Sequence, residues 1–150
     1  MQDSIHQGLK TVKDTSYYQN ALHVLNYAFG DFYLYDDFII SEIKAGEVVS
    51  WDTVGKLLVN DIREIYGTRS KELVYISNRV HKYAVMPSDW IKFRKNDCNI
   101  KAYAIVSYNK RAYLNALLEK LFFSARLQFF TSLDSAISWA NEIQHKENVA

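Results

Sequence analysis

The chain has a single cysteine, Cys98, a single proline, Pro87, and five glycines, Gly8, Gly30, Gly46, Gly55 and Gly67, over 150 residues. Each scarcity excludes a class of function. A lone cysteine forms no internal disulfide, which agrees with a reducing compartment, and it has no partner at zinc-ligand spacing. As a nucleophile Cys98 needs a base or cation beside its thiolate. Lys95 and Lys101 are near in sequence, but Asn96-Asp97-Cys98-Asn99 reads as a turn. Glycines this far apart build no phosphate-cradling loop, and no serine has glycines two positions to either side, as a hydrolase elbow requires. Charge of either sign is balanced, 18 Lys and Arg against 17 Asp and Glu. No overall field therefore draws nucleic acid or an anionic membrane. No apolar run approaches the roughly 20 residues of a spanning helix. The opening Met1-Gln2-Asp3-Ser4-Ile5-His6 lacks a basic region followed by an apolar one, so the expected location is the cytoplasm. His6, His23, His81 and His145 are scattered, and no metal or other cofactor is expected.

What is present is a pattern of alternating strands and helices. Ile100 to Ser107 is a buried run, Tyr108 to Arg111 a polar break, and Leu114, Leu117, Leu118 and Leu121 repeat at helical spacing. Leu127 to Phe130 is a second short apolar run, and Leu133, Ala136, Ile137 and Ala140 mark a second helix. This βαβα order predicts an α/β fold with a mostly parallel sheet covered by helices. Asn109 caps the first helix, and Ser132, or Thr131 with Asp134, the second. Upstream, Val24 to Ile43 is aromatic and β-branched and reads as strands broken at Gly30-Asp31 and at an Asp36-Asp37 hairpin. A helix capped by Ser50, with Val54, Leu57, Leu58, Ile62 and Ile65 on one face, ends at Gly67. Leu73 to Ile76 suits an interior strand ending at Ser77-Asn78, and Pro87 opens a short helix reaching Lys95. Residues 1–23 read as a partly helical extension, 24–145 as one domain and 146–150 as a tail.

Open α/β sheets place ligands beyond the carboxyl ends of their strands. Arg79, His81 and Lys82 follow such a strand and are the candidate residues for an anion or an acidic partner; the bland alternative is a solvated basic loop. Ser88 stands at a helix start, where a hydroxyl caps the first turn and a phosphate meets the positive end, although Asp89 repels that added charge. Most aromatics read as core, with any exposed remainder marking a contact surface. Trp139 is off the central stripe of its helix, and Phe122-Phe123 and Phe129-Phe130 must point in different directions.

As a whole the chain resembles the STAS superfamily in its bacterial anti-sigma-factor-antagonist-like (SpoIIAA-like, STAS/Sec14-type) branch. The matching residues are Phe29-Gly30, Lys71 to Ile76, Ala104-Ile105-Val106, Asn115, Phe129-Phe130 and Ser135-Ala136-Ile137-Ser138-Trp139. The resemblance covers about residues 24–144 and implies a four- or five-stranded, mostly parallel or mixed sheet with helices mainly on one face. It also implies a non-enzymatic regulatory role through protein–protein interaction, here by docking around Arg79 to Lys95. In that family a phosphorylated Ser follows an Asp and precedes a Gly by two positions; Met86-Pro87-Ser88-Asp89-Trp90 has neither, so Ser88 corresponds by neighbourhood alone. The alternative is a carrier of a small molecule or lipid, since Sec14-type folds imply an apolar pocket beside the sheet. An enzyme ranks last, because no acid, base or nucleophile is grouped with partners. A homodimer through a β edge or an aromatic helix face stays open.

Overall fold

The computed structural model describes residues 9–149. Residues 1–8 of the expected extension, His6 among them, and Ala150 lie outside the described residues. The aromatic opening forms β1 (His23–Tyr27), β2 (Gly30–Leu34) and β3 (Phe38–Ile43), an antiparallel meander whose second turn is the expected one at Asp36-Asp37. Gly30 belongs to β2, paired with both Tyr27 and Ile43. A Cβ there would stand 2.6 Å from the Glu42 carbonyl oxygen, so β2 and β3 approach as they do because residue 30 has no side chain.

From β3 onward every strand is added in parallel. β5 (Val74–Arg79) pairs with β3, β7 (Ala102–Ser107) with β5, and β8 (Arg126–Phe130) with β7. The main sheet thus has six strands in the order β1-β2-β3-β5-β7-β8, mixed overall. The sequence reading places strands in each of these regions, but the first turn falls at Ala28-Phe29 and not at Gly30-Asp31, which begin β2; the four or five strands implied by the resemblance are too few. A separate two-stranded parallel pair, β4 (Val48–Val49) with β6 (Ala84–Val85), ties the loop after β3 to the loop after β5. Two residues in each strand are too few to leave a hydrophobic periodicity.

The crossovers carry α1 (Lys56–Tyr66), α2 (Asp89–Lys95) and α3 (Lys110–Lys120), and α4 (Leu133–Val149) follows β8. Each crossover adds its strand on the same side of the last, and such connections share one hand, so α1 to α3 fall on one face. α4 covers the other. Alternation along each strand divides the core accordingly. Ile40, Val74, Ile76, Ala104 and Val106 pack with Leu133, Ala136, Ile137, Ala140 and Ile143 of α4, whereas Ile39, Ile43, Tyr103 and Ile105 face the crossover helices.

The caps follow sequence chemistry. Ser50 accepts from Thr53 N in a reciprocal capping box that opens a wide turn over Trp51–Gly55 leading into α1. Gly67 closes α1 at φ 62°. Asn109 caps α3 through Ala112 N, and Ser132 caps α4 through Ser135 N.

Three expectations are corrected by packing. Leu57 and Ile65 are exposed, leaving Val54, Leu58 and Ile62 as the inner face of this segment. On α3 the leucine stripe points outward: Leu114, Leu118 and Leu121 are 51%, 52% and 76% exposed, while Ala116 and Glu119 on the opposite side are buried. A small residue such as Ala116 lets the helix lie close over Tyr103 and Ile105. The expected N-terminal extension also enters the core, since Val12 is fully buried against the α4 side. Its backbone N–H donates to the buried Glu42 Oε2 at 2.8 Å, and Asn78 Nδ2 donates to that oxygen at 2.7 Å.

Candidate functional site

Between the crossover segments and the sheet face that carries Ile39, Ile43, Tyr75 and Tyr103 lies a half-open cavity of about 150 Å³. Its floor is Ile39, Ile43 and Tyr75, and its roof is Trp51, Val54, Leu58 and Ile62 with Trp90 and Phe93 of α2. The aromatic roof is braced by edge-to-face contacts of Phe93 with Trp51 and Trp90, ring centroids 6.4 and 5.2 Å apart. The Asp89 carboxylate accepts from Trp51 N at 2.7 Å and pins α2 to the turn before α1.

One end of this apolar space is polar. Arg79, the last residue of β5, pairs through Nη2 with Glu119 Oε2 near the end of α3, with side chains 9% and 1% exposed. Tyr103 OH and Trp90 Nε1 donate to Glu119 Oε1 at 2.7 and 3.0 Å. Arg79 Nη2 also donates to Tyr103 OH at 2.8 Å, and Nε donates to Ser77 Oγ at 3.0 Å. The guanidinium lies over the Tyr83 ring, 5.5 Å from its centroid. Burial works against the guanidinium's charge, but Tyr83, Tyr103 and Glu119 outweigh it and hold the proton well above the ordinary arginine value. Burial, then the Glu119 charge, likewise pushes the Tyr103 phenol up. Tyr75 OH donates to Ser41 Oγ at 2.8 Å, and burial raises its phenol too. The phenols are therefore neutral, hydrogen-bonding groups at ordinary pH.

The structure separates the residues that the sequence grouped together. Arg79 points into the fold, whereas His81 and Lys82 are exposed on the loop that β6 ends. Lys82 O accepts from Gly46 N at 2.9 Å, and the paired β4 and β6 hold that loop down. Ser88 is exposed and caps nothing through its side chain. The turn has already begun at Met86, whose carbonyl accepts from Asp89 N, so Ser88 has helical backbone angles where a capping residue is extended. Cys98 is buried against the cavity wall. Burial raises its thiol against the pull of Arg63, whose Nη2 stands 3.4 Å from the sulfur. Trp139 packs at 5.4 Å from Phe130 on the α4 side.

Sequence reasoning missed Glu119, since a helix with four leucines on one stripe presents that stripe as its inner face. The signal that was there is the Ala116-x-x-Glu119 spacing on the opposite side. Among the described residues there is no group of three or more His, Cys, Asp or Glu placed to hold a metal ion, and no helix is long and apolar enough to cross a membrane. No protein-family model, curated protein or solved structure matches the chain.

Proposed function

We propose that the chain is a non-enzymatic binding module that takes a small, largely apolar molecule between its sheet and the α1 and α2 segments. The cavity carries this reading. An apolar space of about this size is large enough for a benzene ring. A half-open space of about 150 Å³ over the sheet face, lined mainly by apolar side chains and roofed by two tryptophans, has the shape and lining of a small-molecule site. The Sec14-type resemblance points the same way.

Native mass spectrometry of freshly purified protein tests the proposal. The expected result is a retained small molecule, or a melting temperature that rises with added one-ring aromatic solutes. A cavity-filling Val54→Phe variant should abolish either response while the protein stays folded. An unliganded protein whose melting is indifferent to every such solute would overturn the reading.

A second reading, the STAS-like protein-interaction module, is favoured by the stripe of Leu114, Leu118 and Leu121 on α3, exposed at i, i+4 and i+7. The element order from β3 to α4 supports that resemblance; the sixth main strand does not. Cross-linking from α3 positions in the source cell tests it. A discrete cross-linked partner lost in Leu114→Glu/Leu118→Glu supports docking, and an unchanged pattern counts against it.

A further inference from the structure

We infer that the outward face of α3 docks an acidic amphipathic helix of another protein, one with apolar residues at alternating three- and four-residue spacing and Asp or Glu on either side. This rests on the protein-docking reading of α3 and is independent of the cavity. Charge carries it. The chain as a whole is nearly balanced, yet from residue 98 to residue 133 the sole acid is Glu119. That carboxylate is buried and paired with Arg79, so it gives the surface no negative charge. Lys110, Arg111, Lys120 and Arg126 are all exposed around the leucines of α3. Among the described residues none of these cations is within ion-pair distance of a carboxylate. Lys110 and Arg111 also stand in the first turn of α3, where there is no acid and where the positive end of the helix dipole disfavours cations. Anionic groups of a partner offset that cost.

Shape then decides which anionic partner. Leu114, Leu118 and Leu121 recur at the spacing of a coiled-coil seam, and Arg111 continues the same stripe one turn earlier. At about 100° per residue these positions span about 80° of the helix surface, the narrow seam that one partner helix covers. A helix that lies in a membrane surface instead has a broad apolar face with its cations on the other side, whereas Arg111 here is in line with the leucines. A second copy is disfavoured by charge. Two α3 faces meeting in either direction bring together only cations, and like charges across a helix pair repel. Acidic residues flanking the partner's apolar seam meet Lys110, Arg111 and Lys120 while its apolar side chains cover the leucines.

Two stapled helical peptides of about 15 residues test this on the full-length protein by fluorescence anisotropy. Both have leucines at i, i+4 and i+7; one has glutamates beside them and the other lysines. The glutamate peptide should bind about tenfold more tightly than the lysine peptide, and severalfold less tightly at about 300 mM salt than at about 50 mM. Lys110→Glu/Arg111→Glu should abolish the preference, and Leu118→Glu should weaken the glutamate peptide about tenfold. Both variants alter exposed side chains, and urea midpoints no lower than that of the unmodified protein show that they fold. A glutamate peptide bound no better than the lysine one, or bound equally by Leu118→Glu, would overturn the inference. So would flotation of the protein with phosphatidylserine vesicles, or a dimer in sedimentation, that Leu118→Glu abolishes, since the face would then belong to a membrane or to a second copy. Where the source cell still gives an α3 cross-link that is lost in Leu114→Glu/Leu118→Glu, these results overturn the acidic helix alone. Where it gives none, they overturn docking through α3 as well.

Discussion

Glu119→Ala isolates the energetics of the buried pair. The substitution strands the Arg79 guanidinium, only 9% exposed, without its counter-ion and removes the acceptor used by Tyr103 and Trp90. Removing one partner of a buried ion pair costs about 3–5 kcal/mol. For a domain of this size each kcal/mol lowers the melting temperature by about 2–4 °C, so a fall of roughly 6–20 °C is expected. The double variant Arg79→Met/Glu119→Leu removes both charges and keeps the volume filled; its stability should return to within about 1 kcal/mol of the unmodified protein or exceed it. Urea denaturation followed by tryptophan fluorescence, to which Trp90, itself bonded to Glu119, contributes, measures all three proteins, with an unchanged m-value certifying that stability alone has moved. A loss under about 1 kcal/mol in Glu119→Ala would mean that water reaches the guanidinium freely. A double variant no more stable than the single one would mean that packing, not the stranded charge, sets the cost. Either result refutes the reasoning.

Three further outcomes are expected. Burial lifts the Glu42 carboxyl above its ordinary value, more than the hydrogen bonds from Val12 and Asn78 pull it down. A folded value above the unfolded one means that the stability Glu42 contributes is fully present below the ordinary value of 4.5 and lost as pH rises through the folded one. Glu42→Gln should therefore gain on the unmodified protein between about pH 4 and about pH 7 in urea titrations, and a gap that narrows instead contradicts this. Leu118→Gln and Leu121→Gln should each change stability by no more than about 0.5 kcal/mol, since both side chains are exposed; a loss of about 2 kcal/mol or more in chemical denaturation would put them in a core. Gly30→Ala drives a Cβ into the backbone of β3, 2.6 Å from Glu42 O and 2.9 Å from Ile43 Cα, and should cost about 1–3 kcal/mol by denaturant midpoint. A neutral result would show that β2 and β3 can part without penalty.

Local chemistry made much of the fold legible. Aromatic and β-branched runs pick out β1 to β3, Asp36-Asp37 the hairpin, Ser50 and Gly67 the two ends of the first helical segment, and Asn109 and Ser132 the later caps. These signals act over a few residues and are written where they act. The α/β class follows from the order of the periodicities. Helix faces were legible only where one stripe is both the most apolar and the inward one, as in α4.

Tertiary structure decided the rest. Which side of α3 turns inward depends on Arg79, 40 residues away from Glu119 along the chain, because a buried carboxylate is tolerable only with that partner in reach. The fate of Arg79 was hidden for the same reason: beside His81 and Lys82 it reads as one of a basic cluster, and only strand register carries it inward while the other two stay in water. The cavity has no counterpart in sequence at all. It is the space left where β3, β5 and two crossover segments fail to meet, and shape of that kind arises from how elements pack against one another, not from the residues within any one of them.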